Sequence, residues 1–365
     1  MLPFVIVFIF MLSLCCYGVV GYYFSVFINI NSKWKLRLIK IAVSLVLGIV
    51  CYYVRVLALA MMYLLVILGL VKLIEVILKR VLKRFNFSNK YKVSKWIYRS
   101  GLVPILVIVI VFLAGHFNIN RVVNTQYTVR SGELNQNYRV VFISDTHYGT
   151  IQTESVLMEK VQEINTLNSD IVILGGDIVE EGTSKQKMQE CFEVLGGLKS
   201  RYGVFYVYGN HDRQRYSNSP SYTEDELKTA IESNDIKILK EEVININGDL
   251  VLVGREDVGS KCDRIESLEL KSKIDANRFV LVADHQPNDI ESNSEIGADL
   301  QISGHTHGGQ IFPLGWMTFF YRGFVYGNYE QKNTTVLVSS GFAGWGFPIR
   351  TQGVSEYVTV DLLKK

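Results

Sequence analysis

The sequence predicts an α/β domain preceded by an all-α membrane domain of about four helices, and three observations predict it. Apolar residues crowd into the first 120 positions. Beyond them, short β-rich runs alternate with helical patterns, as in α/β folds. Five of the six histidines fall inside short motifs, each placed where an apolar strand ends. At 365 residues the chain exceeds one usual domain, and charge divides it at the same place. Residues 1–120 hold 14 Lys and Arg and one acid, Glu75, a net of +13; residues 121–365 hold 24 basic and 34 acidic residues, a net of −10. The overall +3 averages two unlike parts.

Residues 2–23 carry no charge and are long enough to span a bilayer. A basic linker with Lys33, Lys35, Arg37 and Lys40 follows. The next apolar stretch, 41–78, would measure about 57 Å as one helix, against about 30 Å of hydrocarbon. It is therefore read as two spans turning near Tyr53, Val54 and Arg55. A second basic linker holds Lys79, Arg80, Lys83, Arg84, Lys90, Lys92, Lys95 and Arg99, and a last apolar segment covers 102–117. Residues 1–120 are thus expected to form a multi-pass anchor in the lipid bilayer, with spans near 2–23, 37–54, 56–78 and 100–117. With four spans both basic linkers lie on the cytoplasmic face. The protein is then expected in the cell membrane, with the domain of residues 121–365 extracytoplasmic. The start lacks the basic n-region of a cleaved signal. His116 reads as an interfacial polar residue, and Glu75 as an i,i+4 partner of Lys79. Cys191 and Cys262, the two cysteines of the polar part, either pair or stay free, and their spacing does not suggest zinc ligation.

In the second part, 138–144 reads as a buried strand, 154–168 as a helix and 171–174 as a strand. A helix near 186–198 precedes a strand at 204–208. Thr223 and Glu226 make a capping box that opens a helix running to about Ser233. Strands are expected at 236–239 and 243–246, and Asn247-Gly248-Asp249 marks a hairpin into 250–253. Further strands fall at 279–282, 300–303, 336–340 and 357–362.

The motifs are Asp145-Thr146-His147, Gly175-Gly176-Asp177, Gly209-Asn210-His211-Asp212, His285 and Gly304-His305-Thr306-His307-Gly308-Gly309-Gln310. Each begins at a strand's carboxyl end, and in α/β folds those ends line one crevice. Carboxylate, imidazole and amide-carbonyl ligands suit Mn²⁺, Fe and Zn²⁺. Two Asp, one Asn and four His, besides His211, exceed what one ion needs. Two ions about 3.5–4 Å apart can share an Asp, hold a hydroxide and clamp phosphate oxygens during in-line attack. A single D-x-H or G-D is more often structural than functional; core packing does not account for five motifs at five strand ends.

The second part resembles the calcineurin-like metallophosphoesterase family, whose pattern is D-x-H, G-D-x-x-[D/E], G-N-H-[D/E], a lone His and G-H-x-H. The resemblance covers about 138–362. The G-H-T-H-G-G-Q form is similar to a bacterial, membrane-associated branch that includes relatives of UDP-2,3-diacylglucosamine pyrophosphatase. It implies a four-layer α/β/β/α sandwich of two mixed sheets and a cofactor of two divalent ions, Mn²⁺ foremost, with Fe or Zn²⁺ as the alternatives. By motif it implies Asp145, His147, Asp177 and His307 at the first metal. Asp177 would bridge, and Asn210, His285 and His305 would complete the second. His211 resembles the family's histidine that protonates the leaving oxygen or stabilises the phosphoryl charge, and Asp212 would hold and tune it. Where the family often has Asp after G-D-x-x, this chain has Glu180 and then Glu181. Arg350 matches an Arg of the branch, as either a phosphate contact or a structural ion pair.

An aromatic stretch follows the last motif: Phe312, Trp316, Phe319, Phe320, Tyr321, Phe324, Tyr326 and Tyr329, then Phe342, Trp345 and Phe347. Most of these are expected in the core of a terminal sheet, with Phe319, Phe320 and Tyr321 exposed. The alternative is an apolar rim that admits a lipid. The net −10 argues against nucleic acid. The expected function is a membrane-anchored phosphodiesterase acting on lipid-linked or headgroup phosphoesters. The alternatives are a tethered phosphomonoesterase or nucleotide hydrolase, and a non-catalytic sensor or scaffold.

Overall fold

Strands that are apolar at every position must be covered on both faces, and the central strands of this chain are of that kind. The computed structural model describes residues 2–28, 30, 32–84, 101–259, 264–275 and 277–365. It divides into two compact units, Met1–Ala114 and Gly115–Lys365.

Among the described residues, four helices are long and apolar enough to cross a membrane: α1 (Leu2–Phe27), α2 (Lys33–Tyr53), α3 (Arg55–Arg84) and α4 (Leu102–Asn120). The long middle segment is broken at Val54, whose ψ of 81° ends α2 where the turn is expected. Within the first unit, Val19, Leu64, Leu68 and Ile108 pack together. Glu75 pairs with Lys72 at 3.3 Å, on the turn before it, whereas the expected partner Lys79 lies on the turn after. The Lys79 side chain, Lys90, Lys92, Lys95, Arg99 and Cys262 lie outside what is described. Cys191 is buried as a free thiol.

The second unit holds two six-stranded sheets. The first runs β1 (Val122–Ser131), β12 (Ser355–Lys364), β2 (Tyr138–Ile143), β3 (Ile171–Leu174), β4 (Val204–Tyr206), β5 (Ile236–Ile238). It is parallel except where β12 meets β2. The second runs β10 (Gly327–Gln331), β11 (Thr334–Val338), β9 (Leu300–Ser303), β8 (Phe279–Ala283), β7 (Leu250–Gly254), β6 (Glu242–Ile246). Only its two edge strands are antiparallel to their neighbours.

Successive side chains on a strand point to opposite faces, and that alternation sorts the apolar residues into layers. Val140 and Phe142 of β2, with Ile171 and Ile173 of β3, meet Leu250, Leu252, Leu281 and Ile302 of the other sheet. Their neighbours Val141, Ile143, Val172 and Leu174 face α5 (Glu154–Asn165), α6 (Lys185–Leu195) and α7 (Glu224–Glu232). On the far side, Val251, Val253, Val280 and Val282 pack with Leu270 of α8 (Ser267–Lys271) and with Ile296, just after α9 (Ile290–Glu295). Each such fully buried side chain contributes about 1.5–3 kcal/mol. The result is a four-layer α/β/β/α sandwich. The Thr223–Glu226 capping box opens α7 as expected. Strands β1 and β10 were not anticipated, because their buried and exposed residues mix polar and apolar types.

Candidate metal centre

Five loops leave the carboxyl ends of β2, β3, β4, β8 and β9, and they carry all seven expected ligands. Asp145, His147 and His307 each offer a ligand atom within 4.8 Å of the others, and so do Asp177, His285 and His305. Asp145, His147, Asp177 and His285 are buried, and Asn210 nearly so. The Gln286 amide lies 3.5 Å from Asn210 Oδ1 and donates to buried Asp257 at 2.7 Å.

The backbone is bent to reach this arrangement. Asp145, His147, Asp177, His305 and His307 all have positive φ, between 43° and 70°. That left-handed region costs a non-glycine residue about 1 kcal/mol or more and persists only where surrounding contacts impose it. Here the Asp145 N–H donates to Gly176 O at 2.9 Å and the His147 N–H to Asp177 O at 3.1 Å. The His305 N–H donates to the Asp145 carboxylate at 3.0 Å. Glycine is required where loops meet carboxylates: a Cβ on Gly209 would collide with Asp177 Oδ1, and one on Gly304 with Asp145 Oδ2.

The histidine rings are oriented from behind. His285 Nδ1 donates to Gly175 O at 2.8 Å, and His147 Nδ1 to Glu180 Oε2 at 3.0 Å. Their Nε2 atoms are buried without a hydrogen-bond partner, although His285 Nε2 lies 3.1 Å from Asp177 Oδ2. Outward lone pairs held by an inner N–H are what metal-bound imidazoles require. A buried polar atom otherwise left unpaired is costly. The donor set therefore fits two divalent ions. Burial, against the pull of Asp145, pushes His307 down to about 3, so its imidazole is neutral, the form that binds a metal.

Asp212 does not hold His211. It is fully buried, and its carboxylate accepts N–H groups from Asp177, Ile178, Val179 and Gly209 at 2.6–3.2 Å. Burial and the neighbouring Asp177 charge push it up to about 6. The partner of His211 is Glu181, whose Oε2 lies 2.6 Å from Nδ1. Burial would lower His211, but that hydrogen bond and the Asp177 charge raise it. For Glu180, burial would raise the carboxyl, and the His147 hydrogen bond outweighs it and lowers it. The two consecutive glutamates after Asp177 thus serve two different histidines. Their adjacency to the motif was the available signal, and the spacing alone did not divide them.

Among the described residues, Arg350 makes no ion pair with a carboxylate, and its hydrogen bonds go to backbone. It is fully buried and donates to the carbonyls of His307, Ser340 and Ala343 at 2.6–2.9 Å, fixing the last motif. Gln310 also acts on this loop: its amide donates to Phe347 O and Ile349 O and accepts from the Trp345 N–H. Trp345 and Tyr216, both exposed, flank His211 with ring centroids at 5.5 and 5.3 Å. His116 lies outside the ligand groups, near Pro348 O.

The aromatic stretch is not mostly core. Phe342 is buried, whereas Phe312, Trp316, Phe319, Phe320 and Tyr326 are exposed. Its first part forms a helix, α10 (Leu314–Arg322), and only Tyr329 lies in a sheet strand, β10. Phe324 and Tyr329 are partly buried against each other, and the Tyr321 side chain is outside what is described.

Residues 138–309 match the family model described as calcineurin-like phosphoesterase. An uncharacterized metallophosphoesterase of Helicobacter pylori is 31% identical over 242 residues, covering 64% of this chain and 62% of that protein. A transmembrane protein with metallophosphoesterase domain from Danio rerio is 28% identical, over 61% of this chain and 53% of that protein. The chain thus spans less than two thirds of the length of these relatives. Among solved structures, a dimetal phosphatase from Danio rerio is similar at 11% identity and a TM-score of 0.38, over 56% of this chain and 87% of that one.

Replacing Asp212 with Ala leaves four N–H groups without their acceptor. The variant should lose about 3 kcal/mol or more, roughly 6–12 °C in melting temperature. Differential scanning fluorimetry of the full chain checks this, and a shift under about 2 °C would contradict the clasp.

Proposed function

We propose, on the match of residues 138–309 to the calcineurin-like phosphoesterase family model, that the chain is a membrane-anchored two-metal phosphohydrolase, a phosphodiesterase acting on lipid-linked or headgroup phosphoesters. The observation that carries the reading is the pair of unpartnered buried Nε2 atoms, His147 and His285, one in each carboxylate–histidine group. Asp145, His147, Asp177 and His307 would hold one ion, and Asp177, Asn210, His285 and His305 the other. Bound there, two divalent ions supply charge neutralisation on the phosphate and an activated water for in-line displacement. Manganese is the ion we propose, on the mixed carboxylate and imidazole donor set.

The chain's own part is orientation and proton transfer. Glu181 holds His211 at Nδ1, which leaves Nε2 to give a proton to the leaving oxygen as its bond to phosphorus breaks. The raised pKa keeps His211 protonated further toward neutral pH than a free imidazole. Trp345 and Tyr216 flank this histidine and would border the leaving group. The four apolar helices support a membrane location. The basic excess of residues 1–120 supports an extracytoplasmic catalytic domain.

Full-length protein should hydrolyse bis(p-nitrophenyl) phosphate with added Mn²⁺ faster than p-nitrophenyl phosphate. Chelator or Asp177→Asn should abolish both activities. No turnover by folded, Mn²⁺-loaded protein would overturn the hydrolase reading, and a preference for the monoester would overturn the diester assignment. Glu181→Gln should lower kcat about 10-fold or more without loss of bound metal. An unchanged kcat would remove His211 as the proton donor.

A further inference from the structure

Helix α10 is turned inside out for a helix on a water-facing surface. Its large apolar residues point outward: Leu314, Trp316, Met317, Phe319 and Phe320 are exposed, the last at 87%. Its buried position is Gly315, packed so closely on Gly309 that a Cβ on Gly309 would collide with it. Thr318 returns its hydroxyl to Leu314 O. The only charged residue in the helix is its last, Arg322. Surface helices in water place apolar residues against the core and charges outside. A contiguous exposed apolar patch marks an interaction surface.

The position of the helix names the occupant. The end of α4, residues 115–120, is tied to the loop of residues 348–353. The Arg350 N–H donates to Gly115 O at 2.9 Å, and the Asn118 amide donates to Arg350 O and Gly353 O. The other side of that loop holds the entry to α10. The Thr351 and Gln352 N–H groups donate to Gln310 O, and the Phe312 N–H donates to Thr351 Oγ1 at 3.0 Å. One short loop therefore joins the end of a helix long and apolar enough to cross a membrane to an apolar helix of outward aromatic residues. The loop that holds residues 115–118 thus also holds the entry to α10. Short helices with Trp, Phe and Leu on their exposed face bury it at the headgroup–acyl boundary.

We propose that α10 lies in the bilayer interface, with Trp316, Met317, Phe319 and Phe320 in lipid. His307 is separated from the helix by only six residues, and one of them, Gln310, binds residues 351–352 through its carbonyl and the Trp345 loop through its side chain. On the reading under Proposed function, on which this consequence alone rests, the helix delivers bilayer phosphoesters to the metal centre without full extraction.

The test uses the full chain in nanodiscs of phosphatidylcholine, with or without acyl chains brominated near the glycerol end. A variant keeping Trp316 alone (Trp34, Trp96 and Trp345→Phe) should lose at least half its fluorescence in brominated lipid. Adding Phe319→Asp and Phe320→Asp should restore most of it. A variant keeping only Trp345, beside His211, should be quenched less. Unquenched Trp316 in the otherwise native helix would overturn the proposal and point to a protein partner or a second copy. The activity arm is separate. Phe319→Asp/Phe320→Asp should lower kcat/KM for a long-chain phosphodiester in mixed micelles about 10-fold and spare bis(p-nitrophenyl) phosphate. Equal loss on both esters would overturn lipid delivery. Quenching with no hydrolysis of either ester would leave the docking standing and sink the hydrolase reading.

Discussion

Asp212 accepts N–H groups from Asp177, Ile178 and Val179 on the loop after β3 and from Gly209 on the loop after β4, and both ligand groups depend on that clasp. Asp177 lies at its centre. Its backbone is held by Asp212, its Oδ1 accepts the His211 N–H at 2.8 Å, and its carbonyl accepts the His147 N–H. A carboxylate buried in this way is costly unless its acceptor positions are filled. Filled by four backbone donors, it fixes the loops as a side-chain pair could not.

The layers around it supply the rigidity that the strained ligands need. Five ligand residues at positive φ would relax on a loose scaffold. They are instead anchored to β2, β3 and β9, whose apolar residues are buried on both faces. The second tier of contacts is equally specific: Glu180 behind His147, Gly175 O behind His285, Arg350 behind the His307 loop. Such outer contacts set ring orientation and tautomer, and with them metal affinity.

Much of this was legible in the sequence. The buried strands announced themselves as apolar runs, and the motifs fell at their carboxyl ends, so convergence of Asp145, His147, Asp177, His285, His305 and His307 followed from topology. The break at Val54 was legible from length alone, since one helix could not fit the bilayer. The roles of Asp212, Glu181 and Arg350 were not legible. Adjacent carboxylates are equivalent in a string, and only loop geometry decides that Asp212 turns inward to backbone while Glu181 reaches His211. Arg350 is 43 positions from His307, and no spacing rule predicts a guanidinium serving three carbonyls. The aromatic stretch misled for a related reason: hydrophobic composition signals burial only when water is the solvent.

The most direct test of the account is the metal content of purified full-length protein after Mn²⁺ loading, measured by mass spectrometry of the ions. Two ions per chain, falling to about one in His147→Ala and in His285→Ala, is the predicted result. Trace metal in the native chain, or unchanged content in both variants, would contradict it.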